Sequence, residues 1–303
     1  MPWCALDNPT YRSRRIGLPF LAFCLGLGKS AWILQIYALL NFGFWLLLLW
    51  AISRFIGYNS PRDLFLATAL LWSTGTLTSI ERSLTDFPAA VLGVLAVFSN
   101  SRWIMATILL GTSGLVKETS ILSFAAVPWR KKPQGGDVKQ LVISTLIIVL
   151  PITLWLIYVH VRLPFGLASG AENFAFPIIG IAHKLYSGIH GLITEWAGAS
   201  LPRQADLLFE ILCPLSLVTQ AIYLAARPRL SSEAWRFGIG FVMLLSILGP
   251  SIWVEQYAYC RVLLPLTFSF NLLIHKHESG TRFATLYLMG NGGMCWLALH
   301  YLI

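Results

Sequence analysis

The sequence predicts an all-α polytopic bundle of transmembrane helices, and three observations carry that prediction. Hydrophobic residues fill 56% of the 303 positions and charged residues only 12%, far from the balance of a soluble domain. The apolar residues fall into successive runs separated by a few polar ones. Those runs are too long and too uniformly apolar for the alternation of barrel strands, whereas a helix satisfies its own backbone groups in lipid.

In order, the runs span 32–53, 64–79, 85–98, 103–116, 119–128, 138–160, 207–226, 236–253, 262–275 and 283–302. A hydrocarbon core of about 30 Å takes about 20 helical residues, so 32–53, 138–160, 207–226 and 283–302 read as full-length spans. The shorter runs are expected to be tilted, broken or partly re-entrant, for a total of about eight to eleven membrane segments. Ile16–Gly28 is too short to cross and is expected at the outer interface. The chain reads as one integral membrane domain. Residues 1–31 form an outer loop and short interfacial helix, 32–160 a first helix group, 161–206 an outer loop with short helices, and 207–303 a C-terminal helix group.

A formal charge of +9 does not indicate nucleic acid, because the basic residues sit at segment ends with no contiguous polar face to receive a duplex. They set topology instead. If 32–53 runs inward, the inner loops hold Arg54, Arg62, Arg102, Arg130, Lys131, Lys132, Lys139, Arg227, Arg229, Arg236, Lys276 and Arg282, as the positive-inside rule requires. The outer face then carries Glu81–Asp86, Lys117–Glu118, 161–206 and Glu255–Arg261. Arg12, Arg14, Arg15 and Lys29 also fall outside, against the rule. The five cysteines, Cys4, Cys24, Cys213, Cys260 and Cys295, are spread singly, which suits buried apolar residues better than a metal cage or a disulfide framework.

Ionisable residues in apolar surroundings are expensive, so they mark candidate sites. In "ERSLTDFP", Thr85 is suited to cap the next helix and Asp86 to sit at its N-terminus. Alternatively Glu81 and Asp86 are carboxylates at an outer mouth, fit for a general base or a divalent metal. In "LVKETSIL", Lys117 and Glu118 interrupt an apolar stretch. They belong either to an interhelical charge network or to a site where the lysine binds phosphate. In "WVEQYAYCRVLLPL", Trp253, Tyr257 and Tyr259 suit an interfacial belt, while Arg261 either pairs with Glu255 or Glu118 or grips an anion. His183 and His190 lie two helical turns apart, a weak metal signal without a carboxylate beside them.

The stretches "LDNPTYRSRRIGLPFLAFCLGLG", "SLTDFPAAVLGVLAV", "GTSGLVKETSIL", "RLPFGLASGAENFAFPIIG" and "YAYCRVLLPL" occur in an order that resembles bacterial membrane glycosyltransferases of the GT-C superfamily, relatives at a distance of protein mannosyltransferases and aminoarabinose transferases. The resemblance covers nearly the whole chain through short, degenerate motifs. It implies an enzyme of the bacterial inner membrane, active face outward, that moves a sugar from a polyprenyl-phosphate donor to an acceptor, sometimes with a divalent metal ion. It implies Asp7, Asp86 and Glu81 as catalytic carboxylates, and Tyr11, Arg12, Arg14, Arg15, Lys117, Glu118 and Arg261 as groups for substrate or lipid phosphate. Such enzymes carry their principal Asp in the first outer loop after an initial helix. "MPWCALDNPTYR" looks like the end of that loop, so the initial helix and the front of the loop are expected to be missing, and Asp7 is the carboxylate left. A multispanning transporter or a noncatalytic scaffold of cell-envelope assembly are the alternatives.

Overall fold

The computed structural model describes residues 13–99, 102–128, 136–162, 173–254, 256–295 and 297–298. Asp7, Tyr11, Arg12 and Glu255 lie outside the described residues. The described chain is an all-α bundle with a single isolated bridge, Phe174 to Leu248. Its helices are α1 Gly17–Leu25, α2 Ser30–Phe55, α3 Pro61–Leu71, α4 Thr74–Glu81, α5 Asp86–Phe98, α6 Trp103–Val116, α7 Gly136–Arg162, α8 Ile179–Glu195, α9 Leu201–Ala226, α10 Glu233–Ile247, α11 Pro250–Val254, α12 Gln256–Val262, α13 Leu264–His277 and α14 Gly280–Asn291. A 3₁₀ segment, Glu118–Ala126, joins α6 to the region before α7.

Three helices, α2, Val138–Arg162 of α7, and α9, are long and apolar enough to cross a membrane. Their outward sides carry what lipid contact requires. On α7, Leu146, Leu150, Leu154 and Ile157 follow a helical spacing and are all exposed, a stripe that water would not tolerate on this scale. The centre of the bundle is α13, where every residue from Leu264 to Ile274 is buried. It packs against α10, α3 and α9. One core cluster joins Leu48, Ile52, Phe87, Val91, Phe237 and Phe268; a second joins Leu217, Leu224, Phe241, Trp253, Tyr259 and Phe270.

The short runs include a broken crossing. The run 64–79 divides into α3 and α4 at Trp72–Ser73, where Ser73 caps α4 by accepting from Thr76 N at 3.4 Å. Thr76 Oγ1 donates to Leu70 O at 2.8 Å, which occupies a carbonyl that the break leaves open. The chain breaks again at Leu263, with Pro265 in the first turn of α13. The half-helices α4 and α12 pack against each other, and a side chain at Gly75 would run into the Cys260 carbonyl. The last run departs from expectation. α14 ends at Asn291 instead of continuing as a span over 283–302, because Gly292 and Gly293 follow and Gly293 packs on the backbone of Leu212 and Cys213.

The helices α6 and α7 run parallel. Thr107 meets Ser144 at 3.2 Å, and Gly111 lies against the Ile147 backbone. The chain must therefore return from the end of α6 to the start of α7, and the 3₁₀ segment does this. Nine residues at about 2 Å each cover about 18 Å. Its buried residues, Ser120, Ser123 and Ala126, recur every third position, the period of this helix. All are small, so it fits between α6 and α10. Ser123 Oγ donates to Phe237 O at 3.2 Å, and Arg236 Nε donates to Ala125 O at 2.7 Å.

These contacts sort the polar residues to two ends of the bundle. One end gathers Arg15, the start of α5, the end of α6 and α12. The other gathers the ends of α2, α5, α9 and α13 with the starts of α3, α10 and α14, as the stacked rings of Phe55 and Phe98 at 5.2 Å and the bond from Arg62 to Glu278 O at 2.8 Å record.

Candidate functional site

Three features of the chain bring the first end together. Gly17 lets α1 lie directly on the backbone of Leu115 and Val116, which carries the residues before α1 to the end of α6. Trp155 Nε1 donates to Ser13 O at 2.8 Å and fixes that approach from α7. The helix α6 stops at Lys117, whose backbone is extended at φ −150° and ψ 122°. Consecutive residues Lys117 and Glu118 therefore point to different partners.

Lys117 forms an ion pair with Asp86, the first residue of α5. Both are buried, with Asp86 at 3% and Lys117 at 5% exposure. Ser113 Oγ donates to Ala89 O at 2.8 Å and holds α5 and α6 together beside this pair. Glu118 turns to Arg15, which donates from Nε to Oε2 at 3.2 Å and from Nη2 to Oε1 at 3.3 Å. This two-pronged geometry suits a planar guanidinium on a carboxylate. Arg15 and Arg261 both lie near enough to act on the charge of Lys117, and Tyr37 of α2 stands beside Arg15.

The structure thus joins Arg15, Asp86, Lys117, Glu118 and Arg261 from four separate parts of the sequence. Other expected groups lie apart. Glu81 is exposed at the end of α4, with Arg82 over the Tyr257 ring at 5.3 Å. Arg14 is half-buried in the turn before α1. Thr85 does not supply the expected cap: its side chain makes no cap bond, and Oγ1 is buried without a partner. The Asp86 carboxylate faces Lys117 instead. His183 and His190 share an exposed stripe of α8 with Ser187 and Thr194. Cys213 and Cys260 are buried, while Cys24 is exposed.

The donor set does not fit a divalent metal. Each carboxylate already faces a cation, and among the described residues no group of three or more His, Cys, Asp or Glu could hold an ion. The arrangement of Arg15 and Lys117 beside these carboxylates suits an anion better than a cation. Sequence reasoning missed Tyr37 and Trp155, two aromatic residues inside an apolar span that carry no local signal of a site.

A second polar centre was also missed. Glu278 at the other end is 5% exposed and collects several arginines. Asp63 and His275 meet nearby at 2.7 Å. On α8 and α9, Lys184 pairs with Glu210 at 3.3 Å and Arg203 with Glu195 at 2.7 Å. No protein family matches this chain, and neither a curated protein nor a solved structure matches it.

Proposed function

We propose that the chain is a GT-C-like integral membrane glycosyltransferase that takes a sugar from a polyprenyl-phosphate donor and passes it to an acceptor at the outer face. The observation that carries this reading is the buried Asp86–Lys117 pair, flanked by Arg15 and Arg261. A transfer of this kind leaves charge on the departing lipid phosphate, so prepositioned cations act where the transition state differs from the ground state.

In the reaction, the acceptor hydroxyl attacks the anomeric carbon while the bond from that carbon to the phosphate oxygen breaks. The hydroxyl proton passes to a carboxylate, and the polyprenyl phosphate leaves as an anion. Lys117 holds Asp86 before the donor arrives. When the phosphate binds, the lysine turns to it and frees Asp86 to take the proton. Glu118 keeps Arg15 oriented toward the same phosphate, and Arg261 supplies the third positive charge.

The test is transfer of radiolabelled sugar from polyprenyl-phosphate donors by the purified protein. Asp86→Asn and Lys117→Met are each expected to lower transfer at least a hundredfold, in the range set by removing a base or a phosphate contact. Transfer that survives Asp86→Asn, Glu118→Gln and Arg261→Ala alike would remove the site assignment. One observation favours a transporter as the second reading: the discontinuous pairs α3/α4 and α12/α13 pack together, a recurring device of transport folds. Solute uptake into proteoliposomes without sugar transfer would select it.

A further inference from the structure

At the end of the bundle opposite Lys117, four helix ends converge on Glu278. Tyr223 Oη donates to its Oε1 at 2.8 Å, and Arg227 Nη1 to the same oxygen at 2.6 Å. Arg282 Nε reaches Oε2 at 3.0 Å, and Arg229 Nη2 stands 3.9 Å from Oε1. Arg62 donates to the backbone oxygen of Glu278 at 2.8 Å.

One carboxylate cannot neutralise four guanidinium groups, which stay charged in proteins. With Asp63 beside Arg62 counted as well, the local surplus is two positive charges before Lys276 is counted. Partial burial first, and then the charges of Arg229 and Lys276, hold the His277 pKa below its usual value. Nη1 of Arg229 is buried without a hydrogen-bond partner. The cluster is nevertheless open to a ligand, since the Arg282 side chain is 60% exposed and that of Arg227 34%.

The surroundings say what kind of anion fits. Ile222, just over a turn before Arg227 on the long apolar helix α9, is exposed, as are Leu64 and Phe65 close after Arg62. A free anion has no use for these groups, whereas acyl chains do. Basic pockets between helix ends at a membrane surface suit anionic lipid headgroups. We propose that the Glu278 cluster is a binding site for the phosphate headgroup of an anionic lipid, with Arg229 and Arg282 as its principal contacts and the apolar flank of α3 and α9 receiving the chains. The site is separate from the Lys117 centre and does not depend on its chemistry.

The experiment is native mass spectrometry of the purified full chain titrated with phosphatidylglycerol and, separately, phosphatidylcholine. We expect about a tenfold preference for the anionic lipid, reduced at least fivefold in Arg282→Gln and abolished in Arg229→Gln/Arg282→Gln. Equal binding of the two lipids by the unaltered protein would overturn the proposal, and this comparison needs no variant to fold. An undiminished preference in folded Arg282→Gln would overturn the residue assignment. Displacement of the lipid by millimolar inorganic phosphate would show a site for free anions and overturn the lipid reading.

Discussion

At the Lys117 end, Arg15, Lys117 and Arg261 gather with Asp86 and Glu118, and the central pair is dry. At the Glu278 end, four arginines surround one carboxylate, and several of them reach the surface. The difference lies in how much each charge depends on one partner. A buried cation with one carboxylate loses everything when that partner goes, whereas a surface arginine in a crowded set is still solvated and loses little. The first arrangement fixes geometry. The second leaves positive charge unspent.

Three substitutions separate the two ends. The largest effect belongs to Lys117→Met, which strands the Asp86 carboxylate and is expected to lower stability by about 3–5 kcal/mol, with Asp86→Leu/Lys117→Met recovering most of the loss. Chemical unfolding of the detergent-solubilised protein measures it. A single variant within about 1 kcal/mol of the parent would mean that the pair is solvated and that the two ends do not differ in kind.

Glu278→Gln comes next. It keeps the shape of the hub and removes its only negative charge, at an expected loss of about 2 kcal/mol. Anionic lipid is expected to offset part of this loss, and phosphatidylcholine none of it, when melting is followed in mixed micelles. The smallest effect is Asp63→Asn, about 1 kcal/mol near neutral pH. The hydrogen bond to His275 holds the Asp63 carboxyl below its ordinary value, so its contribution is present above the unfolded-state pKa of about 3.9. It is lost as the pH falls through the lowered folded value. Melting curves of parent and variant should therefore converge on acidification; a gap that stays constant would exclude this ion pair as its source.

The helical class was legible because it follows from composition and run length. Asp86, Lys117, Glu118, Arg15 and Arg261 were legible for a related reason: each interrupts or borders an apolar run, where an ionised group needs a reason to be. Their assembly was not legible, since nothing in the spacing says that Arg15 reaches Glu118. Glu278 escaped attention because "HKHESGTR" reads as an ordinary polar connection between two apolar runs. The signal that could have found it is a lone carboxylate among cations at the end of an apolar run. That short runs break was legible from their length, whereas the positions of the breaks at Ser73 and Leu263 depend on caps and packing that run length does not show. The early stop of α14 was written in "GNGG", which the length of the run outweighed.

The segment Glu118–Ala126 bears on how such a chain is made. Its hydroxyl at Ser123 and its carbonyl at Ala125 find their partners on α10, which leaves the ribosome well after α6 and α7. Until then the segment has α6 on one side only and its bonds to α10 unmade, a poor candidate for entering lipid alone. Order of synthesis and order of packing therefore differ: α6 and α7 are made as neighbours, and the packing of the 3₁₀ segment between them is completed only when a later helix closes over it.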